Sequence, residues 1–116
     1  NYKDGEQLRD FVYIKDITRW ILELMDKKPN SGIYNMGYGE ARSWMDMAKP
    51  LFKSLDLPVN ITWLEIPEDI KNQYQYFTQA NMTKWQAAGM SPAQWPLEKA
   101  IEDYVVNYLS QKDAWL

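Results

Sequence analysis

Two residue types are missing from this chain altogether: histidine and cysteine. Without histidine there is no usual general base at neutral pH, no Ser-His-Asp triad and scarcely a transition-metal site. Without cysteine there is neither a disulfide framework nor a thiolate nucleophile, which suits a reducing compartment and makes the cytoplasm the expected location. Net positive charge is absent too, since 13 basic and 16 acidic residues leave −3. With no basic stripe to neutralise a phosphate backbone, no nucleic-acid partner is expected. No apolar run reaches about 18 residues, so no membrane span is expected either. The chain opens at Asn1 with Asn-Tyr-Lys-Asp-Gly, which carries no methionine and no signal-peptide pattern. It reads as a piece of a longer protein.

What is present suffices for one core and one domain at most: 46% hydrophobic residues in 116, with 15% aromatic. After a polar lead-in with Asp4-Gly5 as a turn signal, residues 8–14 read as a short strand. Asp16 is a natural N-cap for the helix that follows. Ile17, Trp20, Ile21, Leu24 and Met25 recur at helical spacing and predict one buried face through about Lys27, where Pro29-Asn30-Ser31-Gly32 stops the helix. Residues 33–36 read as a second strand. Ser43 and Asp46 have the spacing of a capping box for a helix over 44–55, with Pro50 placed to kink it.

Residues 60–66 alternate as a third strand, and Pro67-Glu68-Asp69 starts a helical turn. Residues 76–79 read as extended, and Asn81 caps a short helix ending near Gly89. The closing helix, 96–111, should bury Leu97, Ala100, Ile101, Tyr104, Val105 and Tyr108. Short strands alternating with about four helices make this an α/β chain.

Several patterns invite a chemical reading. Arg9, beside Asp10, presents a planar five-donor fork that could grip a phosphate or carboxylate; the plainer alternative is a surface arginine paired with its acidic neighbour. Residues 33–39 have the outline of a dinucleotide fingerprint, strand then Gly37-x-Gly39. The third glycine is replaced by the Arg42-Ser43 neighbourhood, and no acidic residue follows a second strand at the right distance. Tyr108 and Lys112 have Tyr-x-x-x-Lys spacing, but Tyr108 belongs to the apolar stripe of the last helix, which favours coincidence. The six tryptophans (Trp20, Trp44, Trp63, Trp85, Trp95 and Trp115) could form a sugar-stacking platform, although their periodic positions favour packing. The carboxylates Asp16, Glu23, Glu102 and Asp103 read as solvated helix faces.

Four segments in register carry a resemblance: YKDGEQLRDFVYIKD, SGIYNMGYGEARSW, IPEDIKNQYQYFTQANMTK with AAG behind it, and the closing amphipathic helix. Together they resemble the nucleotide-sugar epimerases of the extended short-chain dehydrogenase/reductase family, those acting on ADP-linked heptoses in particular. The resemblance implies that residues 1–116 are one substrate-binding lobe from the C-terminal part of such an enzyme, with the Rossmann core itself absent. It implies NADP as the cofactor, bound upstream, and a catalytic Tyr-x-x-x-Lys also upstream, so that this chain alone is inactive. Gly37-Tyr38-Gly39 then corresponds to a structural turn of the family.

By the same resemblance Arg9 binds the diphosphate region of a nucleotide-diphosphate sugar and Tyr74 contacts that substrate. Tyr2, Lys3, Asp4 and Gly5 fall where a substrate-covering loop would lie. The implied parent is a homo-oligomer. The isolated chain should self-associate or be held by the missing Rossmann domain, because residues 33–36 would lose a sheet neighbour and part of the Trp20-Ile21-Leu24 face would lie open. A lobe for UDP- or dTDP-sugars, or a non-enzymatic nucleotide-binding or interaction module that reuses the fold, remain the alternatives.

Overall fold

A computed structural model describes residues 2–71 and 73–112; Asn1 and Trp115 lie outside them. Its centre is a small sheet. Strand β1 (Leu8–Asp10) pairs antiparallel with β2 (Ala41–Ser43), setting Leu8 opposite Ser43, Arg9 opposite Arg42 and Asp10 opposite Ala41. On its other edge Leu8 bridges the 76–78 segment: its amide donates to Tyr76 O (2.9 Å), and Thr78 N donates to Leu8 O (3.1 Å). The extended character expected for 76–79 therefore takes the form of one parallel bridge.

The strand expected over residues 8–14 ends at Asp10. Helix α1 (Ile14–Lys27) starts earlier than expected, with Tyr13 as its extended N-cap residue (φ −85°, ψ 140°). Asp16 is not the cap. It lies inside the first turn, fully buried, and its carboxylate accepts from Gln94 N (3.0 and 3.1 Å), Trp95 N (3.1 Å) and Arg19 Nη2 (2.8 Å). A carboxylate that finds tertiary donors is not left to satisfy its own helix. The solvated-face reading of Asp16 and Glu23 fails for the same reason. Glu23 accepts from Ser91 N (3.0 Å) and Ser91 Oγ (2.5 Å) and pairs with Lys27 Nζ (2.7 Å).

Together these two acids fasten α1 to the loop around Ser91, whose carbonyl accepts from the indoles of both Trp20 (2.9 Å) and Trp85 (2.8 Å). The two rings meet edge to face at 5.3 Å and, with Met90, form the core. Ile17 and Leu24 pack against it. Ile21 and Met25 do not: they are 49% and 67% exposed, which corrects the predicted face and leaves part of α1 apolar and open.

Helix α2 (Trp44–Ser54) begins with the expected capping box, Asp46 N to Ser43 Oγ and Ser43 N to Asp46 Oδ2, both 3.0 Å. It runs through Pro50, whose carbonyl accepts from Ser54 Oγ (2.8 Å). Helix α3 (Glu68–Lys71) is the single turn foreseen at Pro67, and α4 (Thr83–Ala87) follows Asn81, whose side chain accepts from Thr83 N (3.0 Å). Neither 33–36 nor 60–66 is a strand here. Each lacks a ladder partner among the described residues, and Ile33 and Leu64 are both 87% exposed. Alternation alone cannot hold a strand that has no edge to join.

Helix α5 (Leu97–Tyr104) packs on α2 and passes into a wider turn at Val105–Leu109, where Ser110 N reaches back five residues to Val105 O (2.9 Å). The added residue per turn rotates the stripe. Leu97, Ala100 and Val105 stay buried, whereas Tyr104 and Tyr108 turn out to 47% and 36% exposure, against expectation. Asp103, also read as solvated, accepts from Tyr13 Oη and Lys15 Nζ (2.6 Å each) and from Asn107 (2.9 Å), joining α5 to the start of α1.

Two outcomes follow from these clasps. Lys27 and Ser91 hold the Glu23 carboxyl down at about 2, and Lys15, Tyr13 and Asn107 hold Asp103 down at about 2. A lowered carboxyl stabilises the fold fully above its unfolded value and loses that contribution as pH falls through the folded one. Stability should therefore decline between about pH 5 and about pH 2, and Glu23→Gln should flatten part of that slope in acid unfolding; an unchanged slope would remove Glu23 from the account. Separately, Asp10 accepts from Tyr38 N, Gly39 N and Ala80 N. Asp10→Ala leaves three amides without that acceptor and should cost about 2–4 kcal/mol in urea unfolding.

Candidate functional site

The site is organised by what Asp10 does. Its Oδ1 accepts from Tyr38 N (2.7 Å), and its Oδ2 accepts from Gly39 N (3.0 Å) and Ala80 N (2.8 Å). One carboxylate thereby joins β1, the Gly-Tyr-Gly turn and the end of the 76–80 segment. Gly37 permits the approach: a Cβ there would stand 2.4 Å from Ala80 Cβ and 2.8 Å from Asp10 Oδ2. The turn's amides are thus consumed internally, and β2 rather than a helix follows it. These residues do not fit a dinucleotide, whose pyrophosphate needs free amides at a helix N-terminus.

With Asp10 engaged, Arg9 does not pair with it, and among the described residues no carboxylate lies within ion-pairing distance of its guanidinium. Nη1 donates to Leu8 O (2.8 Å), Nη2 donates to Gln75 O, and the group lies over the Tyr74 ring at 5.1 Å. Its cross-strand neighbour Arg42 is the opposite case. Arg42 is tied to Glu98 (2.6 Å) and Asp46 (3.4 Å), and it holds the Glu98 carboxyl below its ordinary value. Two arginines are therefore paired across one ladder, one guanidinium neutralised by carboxylates and the other, among the described residues, held by carbonyls and a ring.

From Arg9 a file of aromatic rings leads into an open cavity of about 740 Å³. Tyr74 meets Tyr76 edge to face at 5.3 Å, and Tyr76 lies nearly parallel to Tyr2, 6.0 Å between centroids. Asp4 and Gly5 also line this cavity, so four of the six residues predicted for substrate contact share one space. Arg9 adjoins it through Tyr74. Lys3 is not part of the lining: it is exposed, and its carbonyl accepts from Glu6 N in the turn.

Sequence reasoning missed Tyr76 and assigned Trp44 and Trp63 to packing. Both tryptophans line the cavity, with Trp63 51% exposed. Trp63 is seated by Gly5, where a Cβ would come 2.4 Å from Cη2 of the indole (φ +77°). No sequence signal marks that contact, because 58 residues separate the pair. Tyr108 lies 5.1 Å below Lys15 Nζ, in the cluster that joins α1 to α5 and away from any such cavity lining.

Comparison with known proteins gives this arrangement a context. The family described as the NAD dependent epimerase/dehydratase family matches residues 1–37. ADP-L-glycero-D-manno-heptose-6-epimerase from Fusobacterium nucleatum is 40% identical over 99% of this chain and 36% of its own length. The same enzyme from Nitratidesulfovibrio vulgaris is 35% identical over 100% of the chain and again 36% of its own. Among solved structures, Helicobacter pylori ADP-L-glycero-D-manno-heptose-6-epimerase superposes with a TM-score of 0.74 at 30% identity, over 91% of this chain and 31% of that one. A UDP-N-acetylglucosamine 4-epimerase from Methanobrevibacter ruminantium shares the fold at 18% identity, with a TM-score of 0.72.

The chain spans little more than a third of the length of the curated relatives it matches. No helix among the described residues is long and apolar enough to cross a membrane. Sequence relatives, family match and fold agree that the chain is similar to the C-terminal part of epimerases of the NAD dependent epimerase/dehydratase family.

Proposed function

We propose that this chain is the substrate-binding portion of a cytoplasmic ADP-heptose 6-epimerase, which interconverts ADP-D-glycero- and ADP-L-glycero-D-manno-heptose for lipopolysaccharide core synthesis. The observation that carries the reading is Arg9: a guanidinium with no carboxylate partner among the described residues, at the edge of an aromatic cavity. A diphosphate would meet a planar fork whose charge is not already neutralised, and charge-assisted bonds of that kind are short and strong. Tyr74, under the guanidinium, holds the fork's plane and adds its own surface to the substrate. Tyr2, Asp4 and Gly5 line the same cavity, with Lys3 outside the lining.

Arg9 alone would serve any nucleoside diphosphate, UDP- and dTDP-sugars included; the heptose assignment rests on the relatives at 35–40% identity. The cofactor, read as NADP, and a catalytic tyrosine–lysine pair belong to a part of the parent outside these residues. This chain's share of the reaction is to bind and orient the sugar nucleotide, in a parent that we read as a homo-oligomer.

In the intact parent, Arg9→Ala should raise the KM for ADP-heptose, a loss of about 1.5–3 kcal/mol, the range for hydrogen bonds to charged groups. Arg9→Lys should recover only part of it, since a point charge replaces the bidentate fork. Unchanged kinetics in Arg9→Ala would sink the assignment. The isolated chain should show no saturable NADP binding by calorimetry. It should also self-associate, because Ile14, Ile21 and Met25 of α1 (62%, 49% and 67% exposed) and Ile33 (87%) stand open to water. Sedimentation at micromolar concentration checks this, and a monodisperse monomer with a cooperative melt would show that the open face needs no cover.

A further inference from the structure

Tyr108 has the spacing for a pair with Lys112, but the lysine it meets is Lys15, on the first turn of α1. The Lys15 ammonium stands 5.0 Å from the Trp95 ring centre, 5.1 Å from that of Tyr108 and 5.8 Å from that of Tyr13. A carboxylate completes the cage: Asp103 Oδ2 accepts from Lys15 Nζ and from Tyr13 Oη, 2.6 Å each. The walls also have partners other than the lysine. Tyr13 and Trp95 meet edge to face at 5.2 Å, Trp95 N donates to Asp16 (3.1 Å), and Tyr108 stacks on Tyr104 at 6.1 Å. Asn107 donates to the second oxygen of Asp103 (2.9 Å). An ordinary exposed ion pair has one partner and contributes little. Three aromatic rings and a carboxylate around one point are instead the chemistry that recognises an ammonium ion.

We propose that Tyr13, Trp95, Asp103 and Tyr108 form a receptor for a primary alkylammonium ion, which the chain fills with its own Lys15 and so fastens its closing helix to α1. The wide turn at Val105–Leu109 has a use in this reading, because Tyr108 reaches the cage from within it, and widened turns of this kind recur at functional sites. The short bond to Asp103 requires an N–H donor, which selects a primary ammonium over a quaternary one. Asp103 first, and Tyr108 next, hold the Lys15 amine above its ordinary pKa, so the occupant is charged at neutral pH. The Lys15 side chain is 36% exposed, so a free ion has a way in once the lysine is removed. The four receptor residues lie outside the lining of the cavity beside Arg9, and the proposal is independent of the diphosphate reading.

The test removes the occupant and offers a free one. In the intact parent, Lys15→Ala deletes a propylammonium's worth of side chain. Propylammonium is then titrated by calorimetry, with 1-propanol and sodium chloride as controls for shape and for charge. It should bind Lys15→Ala saturably and raise the melting temperature of that variant, while the wild type, its cage filled, shows neither effect. Tetramethylammonium, which has no N–H, should bind at least about tenfold more weakly. Adding Asp103→Asn or Tyr108→Leu to Lys15→Ala should weaken propylammonium about tenfold. Equal binding to wild type and Lys15→Ala, no binding to Lys15→Ala, or propanol binding as well as propylammonium overturns the receptor. Unchanged affinity with Tyr108→Leu overturns the part assigned to the wide turn. If Lys15→Ala does not fold alone, refolding with propylammonium should recover it and refolding with propanol should not; failure of the ion to do so overturns the proposal equally.

Discussion

The carboxylate of Asp10 is the point at which this molecule's separate segments become one structure. Three backbone amides, from Tyr38, Gly39 and Ala80, converge on it at 2.7–3.0 Å. Those amides belong to stretches 28 to 70 residues away in sequence, and neither stretch has regular structure of its own to hold it. Remove the acceptor and β1 keeps only a three-residue ladder with β2 and one bridge to the 76–78 segment. Short sheets of that kind are marginal alone, so a charged acceptor that satisfies several amides at once carries a disproportionate share.

The same bond determines the chemistry next door. An arginine followed by an aspartate would ordinarily be a candidate ion pair, and such a pair at a surface contributes little and binds nothing. Here the aspartate is occupied and faces the Gly-Tyr-Gly turn, so the arginine keeps its charge for something else. Arg42 shows the alternative on the same ladder, with Glu98 and Asp46 both drawn to it. The fold thus builds one structural and one available guanidinium side by side, and the difference between them lies in which carboxylates have been recruited elsewhere. Asp16, Glu23 and Asp103 follow that pattern too, each holding a loop or helix that it does not belong to.

What the chain leaves open is as informative as what it closes. Helix α1 sends Trp20 into the core but turns Ile14, Ile21 and Met25 outward, and the extended 33–36 segment beside it has no ladder partner among the described residues. The curated relatives are nearly three times as long as this chain, with about two thirds of their length beyond what it matches. The aromatic cavity is open on different grounds. Tyr74 meets the edge of Tyr76 there, and Gly5 leaves room for the tip of the Trp63 indole.

By itself the sequence determined the elements that local chemistry can specify. The capping box at Ser43 and Asp46, the α1 stop at Pro29, the turn at Pro67 and the helices after Asn81 and Pro96 were all legible, because each depends on residues within one or two turns. Arg9, Tyr74 and the Tyr2–Gly5 stretch could be picked out by their resemblance to epimerase segments, and the structure places most of them together. Tertiary structure alone decided the rest. It cut the first strand short, made Asp16 a buried clasp where a helix cap was expected, and left 33–36 and 60–66 without ladder partners among the described residues. It also left Tyr104 and Tyr108 turned outward, the second within a wider turn. Trp63 became a cavity wall because Gly5, 58 residues earlier, lacks the one carbon that would have displaced it. A hydrophobic period or a capping pattern records what a residue can do with its neighbours in the chain; which distant amide reaches a carboxylate first, and which ring finds a bare Cα beneath it, is fixed only when the backbone has closed.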